Sequence, residues 1–191
     1  FLEMRFEDGY GSAWSTQDTD SGKKYDIRKV NIQLSKDTEF IEALSASCQP
    51  WQMLEQSGVQ NLYEVLIVGG EVFLLMEPAT GQRLSSIDLS TLSQSRRGDY
   101  SLQLLKTIQE AHDKGVIHQD IQPNKILITE NDDLLITDFG ISEALSIAKA
   151  TKVGLIQAKF DYISPEVMKG DSFTKQSDIY SVALVIWELL E

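Results

Sequence analysis

Apolar and polar positions alternate with a period of two over the first third of the chain, then recur every three to four residues towards its end. Phe1, Met4, Phe6 and Trp14 flank Gly9-Tyr10-Gly11, which predicts two strands joined by a glycine loop. Asp20-Ser21-Gly22-Lys23 supplies turn chemistry, and residues 25–32 alternate between two faces, so a hairpin and a third strand follow. Residues 37–47 carry helical spacing. Pro50 suits a first helical turn, so the helical region is expected to break there and restart as a second short helix. Residues 62–68 and 72–76 flank Gly69-Gly70 as another hairpin, and Glu77-Pro78-Ala79-Thr80-Gly81 fits neither period. Beyond it the pattern turns helical. Residues 100–114 place Leu102, Leu105, Ile108 and Ala111 on a predicted buried face, residues 126–128 and 134–136 form a short hairpin, and residues 177–190 form a strongly apolar helix. The expected class is α+β, with a small antiparallel β region plus helix over residues 1–80 and a mainly helical region over residues 81–191.

Composition narrows the setting. The 191 residues are 42% hydrophobic and 24% charged, ordinary for a globular protein. A net charge of -12 argues against nucleic acid or an anionic membrane as partner, since both reward Lys and Arg. The single cysteine, Cys48, has no intrachain partner and reads as a half-buried small hydrophobe in a reducing compartment. Apolar stretches are short or interrupted, no signal peptide is evident, and a cytoplasmic location is expected.

Candidate chemistry sits in three motifs. His118-Gln119-Asp120-Ile121-Gln122-Pro123-Asn124-Lys125-Ile126-Leu127 is followed by Asp138-Phe139-Gly140 and then by Ser164-Pro165-Glu166. Their order and spacing resemble the catalytic loop, metal-binding motif and activation-segment end of the protein kinase superfamily. The resemblance implies a bilobal kinase-like fold with a hinge at residues 77–81, and a large lobe that stops after its central helix. It implies that Asp120 accepts the proton of a substrate hydroxyl and that Asp138 holds magnesium. It also implies nucleotide contacts from Gly11, Ala13, Arg28, Met76, Glu77, Ala79 and Leu127. ATP and magnesium are the implied cofactors if the domain is active, and none otherwise.

Several positions depart from the family pattern. The catalytic-loop lysine is Gln122 and the second metal-binding asparagine is Lys125, with Asn124 one residue early. Lys159 stands where a threonine contacts the catalytic loop, and its charge is a candidate substitute for that of Gln122. Gln119 replaces the arginine that receives an activation-loop phosphate, which argues against switching through Ser146 or Thr151. In the β region Arg28 occupies the phosphate-binding lysine position and Asp26 the alanine that roofs adenine. Residues two apart on a strand share a face, so Asp26 and Arg28 are expected to pair, with Lys29 an outside candidate if a bulge shifts the register. The helix acid that should pair with this cation is replaced by Ser47 or Cys48, with Glu42 and Glu55 displaced alternatives. Phe6 and Asp8 replace the first two loop glycines.

His118, Phe139, Asp178 and Pro165-Glu166 retain the architectural positions. The expected function is therefore a pseudokinase, a protein-interaction or allosteric module. The alternative is a divergent Ser/Thr protein kinase working through Asp120, Asp138, Lys125 and Lys159, and a small-molecule phosphotransferase ranks third. Val182, Leu184, Val185, Trp187 and Leu189 are expected to lie partly uncovered on the 177–190 helix, calling for a protein partner or further chain. Together with the absence of an initial Met, this points to a piece of a longer protein.

Overall fold

The computed structural model describes residues 2–54, 56–147 and 160–191. Strands β1 (Leu2–Asp8), β2 (Gly11–Gln17), β3 (Lys24–Val30), β4 (Leu62–Val68) and β5 (Glu71–Met76) precede the short β6 (Gln82–Arg83), β7 (Ile126–Ile128) and β8 (Leu134–Ile136). The helices are α1 (Thr38–Gln52), α2 (Gln94–Asp113), α3 (Ile141–Ile147), α4 (Pro165–Met168) and α5 (Lys175–Leu190). They divide into two compact units, one from Phe1–Met53, Gln60–Ala79 and Gly140–Ala158, the other from Leu54–Val59, Thr80–Phe139 and Lys159–Glu191.

The first unit is an antiparallel sheet in the order β1-β2-β3-β5-β4, with α1 packed against β4. Alternation works as expected in β3, where Asp26, Arg28 and Val30 are buried while Tyr25, Ile27 and Lys29 are less so. Asp37 caps α1 by accepting the Phe40 N–H at 3.1 Å, and Phe40, Ala43, Leu44, Ser47, Cys48 and Trp51 form its buried stripe. The expected break at Pro50 is absent. Pro50 lies inside α1, in its final turn, where a missing N–H costs one backbone bond and leaves the preceding turns intact. Helix α3 packs on α1. Gly140 permits this approach, because at φ +75° its missing Cβ would sit 2.8 Å from Ser47 O.

In the second unit α2 packs against α5, and β7 and β8 form the expected hairpin with β6 alongside. Helix α2 starts earlier than its apolar pattern suggests, capped by Ser93 Oγ, which accepts the Arg96 N–H. Its buried face carries Tyr100, Leu104, Ile108 and Ala111, whereas Leu102 and Leu105 are exposed, contrary to expectation. The stripe centred on Leu104 and Ile108 meets α5, and residues 102 and 105 fall outside it. Val182, Val185 and Leu189, spaced for one helical face, are fully buried, so the expected uncovered set shrinks to Trp187 and the half-buried Leu184. Among the described residues no helix is long and apolar enough to cross a membrane.

Candidate active site

In the second unit the loop after α2 is held by a buried carboxylate. Asp178, in the first turn of α5, accepts the backbone N–H groups of His118 at 2.8 Å and Gln119 at 2.9 Å, and lies 2.8 Å from His112 Nε2. His118 is fully buried, with Nε2 2.9 Å from Thr137 O and its ring edge-on to Phe139 at 4.5 Å. Gln119 and Asp138 adopt φ values of +67° and +68°, a left-handed conformation that non-glycine residues hold only where surrounding contacts enforce it.

Three charged side chains meet beyond this anchor. Lys125 Nζ lies 2.6 Å from Asp138 Oδ2 and 3.9 Å from Asp120 Oδ2. Gln122 Nε2 donates to Asp120 Oδ1. Lys125 and Asp138 are each only 4% exposed, so their attraction acts where water screens it weakly. Magnesium requires an octahedron of oxygen ligands. Here Lys125 stands at the position of the second metal-binding asparagine and sets its ammonium on Asp138 Oδ2, so a cation replaces one expected oxygen donor and contacts the other. The residues present do not fit magnesium. The Lys159 assignment and that of Thr151 lie outside the described residues, as does Glu55; Ser146 is exposed.

The first unit carries the second cation. Arg28 is buried beneath the glycine loop, ion-paired with Asp8 and stacked below the rings of Phe6 at 5.3 Å and Tyr10 at 5.6 Å. Asp8 is turned back over its own loop, accepting the Tyr10 N–H at 2.9 Å. The expected Asp26 to Arg28 pairing is therefore replaced. Asp26 instead takes Arg5 Nη1 at 3.3 Å, Ser15 Oγ at 3.1 Å, Gln60 Nε2 at 3.4 Å and the Ala79 N–H at 2.9 Å. Sharing a face on β3 is not enough, because β1 brings the Asp8 carboxylate to Arg28 and the Arg5 guanidinium to Asp26. Lys29 lies on the opposite face, paired with Glu71 at 2.6 Å, and no bulge shifts the β2 to β3 register.

Gly11, Ala13, Met76, Ala79 and Leu127 are buried and Glu77 is half-buried. Gly11, at φ +132°, would place a Cβ 2.0 Å from Lys29 O, so this turn of the loop admits only glycine. Ser47 and Cys48 are buried in α1 and Glu42 is exposed, so α1 presents neither of its candidate positions as an acid. Cys48 is fully buried, more than expected, and burial, with the charge of Glu143, pushes its thiol up to about 12. Arg5, Ser15 and Gln60 carry no local signal in the sequence, since each reaches Asp26 from a distant position through strand pairing or a connecting segment.

The family model for the protein kinase domain matches residues 8–191. The chain belongs to the protein kinase family. Serine/threonine-protein kinase PknA of Mycobacterium tuberculosis is 32% identical over 187 residues, which are 94% of this chain and 43% of that protein. PknH of Mycobacterium bovis is 29% identical over 184 residues, 95% of this chain and 31% of that protein. The chain thus spans less than half the length of these curated relatives. A crystal structure of the Mycobacterium tuberculosis PknI kinase domain superposes with a TM-score of 0.78 at 17% identity, covering 98% of this chain and 71% of that one. The α+β kinase fold expected from the motifs is the observed one. For a kinase domain, the family implies ATP and magnesium if active, and both cations assigned to those ligands, Arg28 and Lys125, already hold carboxylates of the same chain.

Proposed function

We propose that this kinase domain serves as a protein-interaction or allosteric module in which magnesium-dependent phosphoryl transfer is weak or absent. The observation that carries this reading is the Lys125 to Asp138 ion pair, buried and short, at the position where the family holds its metal. Phosphoryl transfer relies on positioning and on charge neutralisation of the phosphates. An ammonium bound to Asp138 removes the anion that recruits the metal, and Asp8 bound to Arg28 sets a carboxylate where phosphate oxygens would approach. Thermal-shift titration with ATP, with and without magnesium, tests this. Ligand at a hundred times its dissociation constant stabilises a fold by about 2.7 kcal/mol, so binding is readily visible. No magnesium-dependent shift is expected at millimolar ATP; a clear shift that Asp138→Ala removes overturns the reading.

A second reading is a divergent Ser/Thr protein kinase, favoured by the names of the relatives and by Asp120, which is retained and oriented by Gln122. In that reading Lys125 supplies positive charge beside the transferred phosphoryl group. Phosphate incorporation into a generic Ser/Thr protein substrate, abolished by Asp120→Asn, would establish it.

A further inference from the structure

The segment 77–79 holds two of the residues to which the family resemblance assigns nucleotide contacts, Glu77 and Ala79, and side chains of the same unit already bond their backbone groups. Asp26 Oδ2 accepts the Ala79 N–H at 2.9 Å, and Gln60 Nε2 donates to the Glu77 carbonyl at 2.8 Å. These two side-chain atoms lie 3.4 Å apart, an acceptor beside a donor. Arg5 Nη1 donates to the Ala79 carbonyl at 2.7 Å and pairs with Asp26. A 6-aminopurine offers the same arrangement along one edge, a ring nitrogen that accepts next to an amino group that donates.

We infer that Asp26 and Gln60, held by Arg5, act as a built-in stand-in for an adenine edge and keep 6-aminopurines off residues 77–79. Asp26 is the residue that sets this exclusion. It is 6% exposed and Gln60 is 4% exposed, so an entering base must break bonds made away from water, with no bulk solvent to compensate the groups left behind. Ser15 Oγ adds a further bond to Asp26 at 3.1 Å, fixing the carboxylate in the orientation that meets Ala79. The inference deepens the proposed function and takes from the family resemblance only the assignment of 77–79 to the nucleotide.

Adenosine is the probe, because it carries neither phosphate nor metal and is independent of the Arg28 and Lys125 ion pairs. Isothermal titration of the wild-type chain with adenosine is expected to show no binding at millimolar ligand. Asp26→Ala is expected to bind at least about tenfold more tightly than wild type. Asp26→Asn, which keeps the acceptor and the shape, is expected to stay closed. Should Asp26→Ala fail to melt cooperatively, Gln60→Leu preserves bulk while freeing the Glu77 carbonyl, and is expected to gain at least about threefold. Adenosine binding by the wild type, no gain in the folded variant, or equal binding by Asp26→Asn and Asp26→Ala each overturns the inference. Such a failure leaves the reading of the phosphate and metal positions standing, since that reading is decided by magnesium and ATP.

Discussion

Lys125 and Asp138 form a buried ion pair, Nζ to Oδ2 at 2.6 Å, across the hairpin that links the catalytic loop to Asp138-Phe139-Gly140. Two desolvated charges are tolerated because each answers the other. Breaking a buried ion pair by removing one partner costs about 3–5 kcal/mol. Lys125→Met should therefore lower the urea midpoint by that equivalent, and adding Asp138→Asn should recover more than half of the loss. Additive losses in the double variant would mean that the two charges do not stabilise each other.

Gly140→Ala and Gly98→Ala should move stability in opposite directions. A Cβ at Gly140 would meet Ser47 O at 2.8 Å in a left-handed backbone conformation, so about 1–3 kcal/mol should be lost and amide exchange in α3 should accelerate. Gly98 lies within α2 with nothing inside 4 Å of its Cβ position, and alanine there should add about 0.5–1 kcal/mol. Denaturant unfolding of the two variants checks both signs.

Cys48 should contribute a fall in stability above pH 9. Its thiol is raised from 9.0 to about 12, chiefly by burial and secondarily by Glu143. The folded state therefore keeps its proton while the unfolded state loses it, and stability drops as pH rises between those values. The fall in stability from pH 8 to pH 10 should be larger in wild type than in Cys48→Ala, on the order of 1 kcal/mol. At pH 8 iodoacetamide should modify Cys48 only as fast as the first unit opens; labelling at the rate of a free thiol would contradict the burial.

The catalytic loop was legible because its placement is local. His118 and Asp138 sit at fixed spacing around a short hairpin, and the buried Asp178 on α5 ties two loop amides. Strand periodicity found all five strands of the larger sheet for the same reason, since alternation is a nearest-neighbour property. What resisted was partner choice. Asp26 and Arg28 share a face, yet Arg5 and Asp8 reach them from β1, and only the folded sheet brings those strands together. Pro50 and the α2 stripe failed through position within a helix: a proline in a last turn breaks little, and a stripe one residue out of phase buries Leu104 in place of Leu105.

One exposed stripe on α5 leads to the last prediction. Tyr180, Ala183, Trp187 and Leu190 recur at helical spacing on the side opposite Val182, Val185 and Leu189, and Trp187 is 59% exposed. Tyr162 and Glu188, joined by a 2.6 Å hydrogen bond, pin the flank of the same helix, so the stripe is presented on a fixed surface. Burying a side chain the size of leucine contributes about 1.5–3 kcal/mol, and a symmetric contact counts each residue twice. The 191-residue chain should therefore associate with itself at micromolar concentration, and Trp187→Lys should return it to monomer without loss of cooperative unfolding. Sedimentation velocity over a dilution series decides this: a dilution-insensitive monomer whose Trp187 fluorescence is freely quenched by iodide would show that the stripe is tolerated in water.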